Sequence, residues 1–283
     1  MPASRLSELA PNYSAVLSDV WGVIHNGVTA HSSAVDALLR FRRGGGRVIL
    51  ITNAPRAAAP IMTMLDRMGV TREAYDGLIS SGDVTRDMIA PYRNRVVHHI
   101  GPATDDDTLY DGLGVTRGRA EDAEAIVVTD LDTDDDTPDM YRERMQLWLK
   151  RRLPMICANP DRVVEHGGRL IYCGGALADL YEAQGGRILM AGKPYRPIYD
   201  QALRMAEGAA SRPLDRARVL AIGDSVRTDA IGAVGAGIDL FFITGSIHAA
   251  DFGGEAAPDP AAVAALVSPS GARLAGFAPR LAW

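Results

Sequence analysis

The run AVLSDVWG, residues 15–22, decides the fold: a short, mostly apolar stretch delivers an aspartate, Asp19, into a turn that contains a glycine. A continuous apolar run of this length, stopped by a turn signal, reads as a strand buried on both faces of a parallel sheet. A strand over 15–20 is therefore predicted. RVILI, residues 47–51, repeats the pattern and ends in Thr52 and Asn53, and VLAIG, residues 219–223, ends in Asp224. Ligands of a parallel sheet sit beyond the carboxyl ends of its strands, where strand order reverses. One Asp or Thr in such a place is equally well explained as a helix N-cap. Three of them on three buried strands favour a site.

Helical patterns separate these strands. Residues 33–43 place Val35, Leu38, Leu39 and Phe41 on one face, with Ser32 or Ser33 as the expected cap and Gly44-Gly45-Gly46 as the stop. A second helix over 58–68 stops at Gly69, and a strand at 78–80 leads into Gly82. The same alternation is expected near the end of the chain: a strand at 187–190, a helix at 197–207, a helix at 228–234, a strand at 239–244, then a Pro/Ala-rich tail. Such alternation implies right-handed βαβ units and a doubly wound α/β core with a parallel sheet. Residues 84–188 carry strand patterns at 96–100, 125–129 and 155–158 and helical patterns at 139–150 and 176–184. The expected organisation is a core of residues 1–83 and 189–283 with a second α/β domain, residues 84–188, inserted in it.

Bulk properties narrow the function. The 283 residues are 47% hydrophobic and 23% charged, an ordinary globular composition. A net charge of −5 lacks the basic field that nucleic acid or an anionic membrane surface demands. Residues 1–21 carry no basic segment followed by an apolar run, and no stretch approaches the roughly 18 apolar residues of a membrane span. A cytoplasmic location is the expectation. Cys157 and Cys173 stand far apart in no metal-ligand spacing, which fits a reducing compartment and buried thiols.

The strand-tip residues suggest a chemistry. Asp19, Asp224 and Asp229 offer three carboxylates to one crevice, a donor set suited to a hard cation such as Mg2+. Lys193, in Gly192-Lys193-Pro194, supplies a positive charge for a crowded carboxylate or a transferring phosphoryl group. Two acidic runs, residues 105–107 and 132–136, lack the glycine and final glutamate of a calcium loop and read as helix-start carboxylates.

In this order, the strand-tip Asp19, the strand-tip Thr52, Lys193 and the GDSVRTD segment (residues 223–229) resemble the haloacid-dehalogenase superfamily. ITN (51–53), SSGD (80–83), ANPD (158–161) and GKP (192–194) look like its class IIA, C2-capped, p-nitrophenyl-phosphatase-like branch. The resemblance spans nearly the whole chain. It implies a Rossmann-like core with an inserted cap, and magnesium-dependent hydrolysis of a small phosphorylated metabolite through an aspartyl-phosphate on Asp19. Carried over residue by residue, Thr52 holds the phosphoryl group with help from the Asn53 backbone, and Lys193 steadies nucleophile and phosphate. Asp19, the Trp21 backbone carbonyl and Asp224 bind the metal, with Asp229 in support. Asn159 and Asp161 are candidate cap residues facing substrate, though a turn held by side-chain bonds explains them as well. Arg56 reads equally as a substrate contact or as a solvated helix-start arginine. A homodimer through the cap rests on family analogy alone.

The sequence departs from that pattern at Trp21. Phosphatases of this superfamily place an aspartate two residues after the nucleophile to protonate the leaving group, and an indole cannot do that work. Three readings compete: a phosphatase whose leaving group needs no proton or takes it from elsewhere, with His25 nearest in sequence; a carbon-centred hydrolase; and a metabolite-binding protein with little turnover. Keeping both Asp224 and Asp229 favours a cation, and hence phosphorus.

Overall fold

The computed structural model describes residues 5–102, 107–166, 169–252 and 258–283. The chain divides into two compact units. The first comprises Met1–Thr52, Ala59–Ile79 and Lys193–Trp283, and the second comprises Asn53–Ala58 and Ser80–Gly192. A short piece after Thr52, residues 53–58, belongs to the second unit. Local bonding explains that piece. Gly82 N–H donates to Ala54 O at 3.2 Å, and Ala58 N–H donates to Asp83 Oδ1 at 3.1 Å. Gly82 also packs so closely that a Cβ there would fall 2.4 Å from the Arg56 backbone.

The first unit is built on a six-stranded sheet in the order Leu274–Ala278, Asp239–Ile243, Val219–Gly223, Ala15–Asp19, Arg47–Thr52, Gly77–Ser80. Ala15–Asp19 runs parallel to both neighbours, and all its residues are buried. Burial on both faces is why it reads as an unbroken apolar run and not as an alternation. The next strands in sequence lie to one side of it and the late strands to the other, so Asp19 stands at the topological switch point. Register completes the placement. Asp19 lies opposite Ile51, and Ser18 opposite Ile222, so Thr52 and Gly223-Asp224 leave the sheet at the same edge as Asp19.

The second unit has its own parallel sheet, ordered Ile188–Met190, Met155–Cys157, Ala125–Val128, Val96–Ile100, Thr116–Arg117, and an antiparallel pair, Val163–His166 with Arg169–Tyr172. Trp148, Tyr141, Tyr181 and Met145 form the centre of its apolar core, with Trp148 edge-on to Tyr181 at 6.1 Å. Both cysteines are buried and unbridged. Asp132 accepts from Gly101 N–H and pairs with Arg144, while Asp136 accepts from the Tyr141 and Thr133 hydroxyls. Those carboxylates are structural; Asp105 and Asp106 of the other acidic run lie outside the described residues. Among the described residues no helix is long and apolar enough to cross a membrane.

Three expectations about elements need correction. The Ser32–Arg43 helix takes His31, not a serine, at its cap position, because His31 N–H is pinned to Ile24 O at 2.7 Å and the helix begins at once. Ile188–Met190 pairs with Met155–Cys157 in the second unit's sheet, so it does not return the chain to the first. The Pro/Ala-rich tail holds a helix, Pro260–Val267, and the edge strand Leu274–Ala278. LAGFA lacks the β-branched residues that signal a strand, and Phe277, opposite Phe242 in the ladder, supplies the packing that local propensity does not.

Because Trp148 is 1% exposed at the centre of the second unit's core, Trp148→Ala is expected to destabilise that unit by about 3–5 kcal/mol. Urea unfolding measures this, and an unchanged midpoint would remove Trp148 from the core.

Candidate active site

Asp19 ends its strand with its side chain turned back onto the chain, accepting from Val20 N–H through Oδ1 at 2.7 Å. The same oxygen lies 2.7 Å from Lys193 Nζ, and Lys193 Nζ donates in turn to Asp229 Oδ1 at 2.7 Å. One ammonium thus bridges two carboxylates. Asp224 completes the group: one oxygen from each of Asp19, Asp224 and Asp229 lies within 4.8 Å of the others. All four side chains are buried, Asp19 at 8% exposure and Lys193 at 3%.

Backbone geometry makes this crowding workable. Gly22 has φ +80°, and a Cβ there would fall 2.1 Å from Asp224 Oδ2, so conformation and space both require glycine. After Asp224 the chain makes a wide turn over Val226–Ala230, closed by Ala230 N–H donating to Ser225 O at 3.1 Å, before the Ile231–Ala236 helix begins. The turn returns Asp229 toward its strand, where Asp229 Oδ2 accepts from Ser225 N–H at 3.1 Å. Insertions of this i→i+5 type cluster at functional sites because they re-aim a side chain.

Three buried carboxylates against one ammonium leave an excess of negative charge. Burial lifts Asp19 well above the usual carboxylate range; Lys193 opposes the shift, and Asp229 and Asp224 add to it. Burial and Asp229 push Asp224 up to about 6. Burial works against the charge of Lys193, yet Asp19 and Asp229 outweigh it and hold the ammonium well above the usual lysine range. A divalent cation fits this donor set: it takes oxygen ligands and neutralises the excess.

Thr52 is buried at the end of its strand, one residue past the partner of Asp19. Trp21 is 56% exposed, edge-on to the His25 ring at 5.2 Å. His25 is buried, its Nδ1 accepts from Gly27 N–H at 2.9 Å, and burial with His31 lowers its pKa. Its role is to hold the turn.

The remaining candidates gather in the second unit. Asn53 Nδ2 donates to Asp161 Oδ1 at 3.2 Å, Asp161 N–H donates to Asn159 Oδ1 at 3.2 Å, and Asn159 Nδ2 donates to Asp130 Oδ1 at 2.9 Å. Gly174 N–H also donates to Asp130 Oδ1, at 3.2 Å. Arg56 is exposed. Sequence reasoning missed Asp130 and Ser246, whose hydroxyl bonds the Asp224 carboxylate and lowers its pKa. Both follow apolar strands, in VVTD (127–130) and ITGS (243–246), and the strand-tip pattern that singled out Asp19 would have found them.

Comparison with known proteins accords with this geometry. Two family profiles match the chain, haloacid dehalogenase-like hydrolase over residues 16–115 and HAD-hydrolase-like over residues 190–268. No curated protein matches it by sequence. Among solved structures it is similar to a haloacid dehalogenase-like family hydrolase from Brucella suis 1330, at 46% identity over 88% of this chain and 95% of that one, with a TM-score of 0.81. It is also similar to p-nitrophenyl phosphatase from Archaeoglobus fulgidus (19% identity, 94% of this chain and 95% of that one, TM-score 0.73). A third is glycerol phosphate phosphatase from Mycobacterium tuberculosis in complex with magnesium (23% identity, 88% and 71%, TM-score 0.66). The two phosphatases share the fold. The identity to the Brucella protein, sustained over nearly all of both chains, goes further: this chain belongs to the haloacid dehalogenase-like hydrolase family.

Proposed function

We propose that the protein is a magnesium-dependent hydrolase of small phosphate monoesters, with Asp19 as nucleophile. The observation that carries this reading is the buried convergence of Asp19, Lys193, Asp224 and Asp229 at the switch point of the sheet. The phosphatase names of the similar structures, one of them in complex with magnesium, support it.

In this reading Asp19, Asp224 and the Trp21 backbone carbonyl hold the ion, with Asp229 in support; the ion offsets the negative charge of the carboxylates and the phosphoryl oxygens. Asp19 attacks phosphorus, a P–O bond forms on its carboxylate, and the bond to the leaving oxygen breaks with its electron pair. Thr52 and the Asn53 backbone hold the phosphoryl group, and Lys193 contributes a fixed charge. Held well above the usual lysine range by its two aspartates, Lys193 keeps its proton and is no acid for the leaving group. Trp21 has no proton to give and His25 is occupied in the turn, so leaving groups that depart readily as anions are favoured. Water then cleaves the aspartyl-phosphate. The inserted second unit is assigned as the cap that selects the organic half of the substrate. Trp21 is what favours the alternative, attack on carbon, and the carboxylate trio weighs against it.

Phosphate release from p-nitrophenyl phosphate should require both magnesium and Asp19. Asp19→Asn is expected to lower kcat by at least about a thousandfold with the melting temperature retained. Release that persists in the variant would sink the mechanism.

Trp21→Asp is expected to raise kcat/KM about a hundredfold on alkyl phosphates, with a smaller effect on p-nitrophenyl phosphate, because an acid assists poor leaving groups most. A loss on both substrates would mean that the indole shapes the site.

The third expectation concerns pH. With Asp224 raised to about 6, the ion-free folded state binds more protons than the unfolded chain from the ordinary 3.8 up to about 6. Its stability contribution therefore falls as pH rises through that window. Cation binding needs the ionised carboxylate, so stabilisation by magnesium grows over the same window. Melting at pH 5 and pH 7.5 should show the larger magnesium shift at the higher pH. Asp224→Asn should melt higher than wild type without the ion and lose most of the shift. Equal shifts at both pH values would remove Asp224 from the cation site.

A further inference from the structure

Thr52 and Lys193 each stand one peptide bond from a residue of the second unit, Asn53 and Gly192 respectively. These two neighbours meet inside that unit. Gly192 packs so closely that a Cβ there would fall 2.5 Å from Asn53 Oδ1 and 2.8 Å from the Pro160 ring. The other end of the Asn53 amide donates to Asp161 Oδ1 at 3.2 Å, and Asn53 is buried. Asp161 is fixed in turn by Asn159 on its N–H and by Gly175 N–H on its carbonyl, the latter at 3.0 Å. Within the second unit the Asn53 amide is thus held on both sides, one peptide bond from Thr52, against Gly192, itself one peptide bond from Lys193.

We propose that Asp161, acting through Asn53 and its packing against Gly192, is a positioning residue that sets the spacing between the Thr52 hydroxyl and the Lys193 ammonium, and that it is not a substrate ligand. The role rests on the phosphatase reading of Thr52 and Lys193. Its physical basis is the cost of misplacement: a shift of about 1 Å in a holding group costs on the order of a hundredfold in rate. Asp161 is suited to the task because a carboxylate accepts strongly from an amide N–H, orienting the amide so that its oxygen faces Gly192.

The test compares wild type, Asp161→Ala, Asp161→Asn, Asn53→Ala and the double variant Asn53→Ala/Asp161→Ala. Each is assayed on p-nitrophenyl phosphate and glycerol 3-phosphate, two monoesters with unlike organic halves. A positioning role lowers kcat by about ten- to a hundredfold, by the same factor on both substrates, with KM little changed. The double variant is then no worse than the weaker single one, since both break the same link. Asp161→Asn regains most of kcat, because its side-chain oxygen still accepts from Asn53. Losses that fall on KM and differ between the substrates would make Asp161 a substrate contact and overturn the proposal, as would additive losses. Hydrogen exchange on the whole protein supplies a readout independent of the reaction. Asp161→Ala should speed amide exchange over residues 53–58 and leave residues 219–223 unchanged. Unaltered exchange at 53–58 also overturns the proposal. Wild-type protein without Asp19-dependent phosphate release would sink the phosphatase reading, and the exchange result alone would then decide whether Asp161 holds this segment.

Discussion

The ammonium of Lys193, seated between Asp19 and Asp229 at 2.7 Å from each, is the contact around which the first unit is arranged. Two carboxylates brought together out of water repel each other and lose hydration, at a cost of several kcal/mol per ion when no partner is present. Lys193 offsets part of that cost by bonding both Asp19 and Asp229, yet burial still holds Asp19 well above the usual carboxylate range. Asp224 has less help, from the Ser246 hydroxyl and a weaker Lys193 interaction, and its pKa rises to about 6. The site is thus stable enough to form and still short of positive charge.

Strand order and strand register place these groups. The switch point sets Asp19 at the carboxyl end of a central strand, and pairing with Arg47–Thr52 and Val219–Gly223 brings Thr52 and Asp224 to the same edge. A slip of one residue in either ladder would turn a strand-tip side chain to the opposite face. The buried apolar faces that prevent the slip belong to the core, so the precision of the polar site is inherited from hydrophobic packing. The second unit repeats the arrangement on its own sheet: Ala125–Val128 delivers Asp130, and Met155–Cys157 leads to Asn159 and Asp161.

Much of this was legible from the sequence, for a definable reason. Strands buried on both faces produce unbroken apolar runs, and AVLS, RVILI and VLAIG each announced a strand and the polar residue at its tip. Where a signal depends on context, legibility failed. LAGFA is a strand because Phe277 packs in the ladder opposite Phe242, a fact absent from its own composition. Residues 187–190 read as a strand from their pattern, but nothing local says which sheet they join. Asp161 was legible as a polar residue in a turn; its partner, Asn53, lies 108 residues away in sequence, and only the fold brings the two together. Ser246 follows Asp239–Ile243, and its bond to Asp224 depends on that strand's pairing with Val219–Gly223, which no local pattern shows.

The exposed indole at Trp21 has a spectroscopic consequence. An indole in water emits at longer wavelength than one enclosed in an apolar core, and the chain carries both kinds: Trp21 is 56% exposed and Trp148 is 1% exposed, with Trp283 partly buried at the C-terminus. The red edge of the intrinsic emission therefore comes largely from a ring two residues from Asp19, while Trp148 reports on the packing of the second unit. The protein carries, without any label, one optical reporter two residues from Asp19 and another inside the core of the second unit.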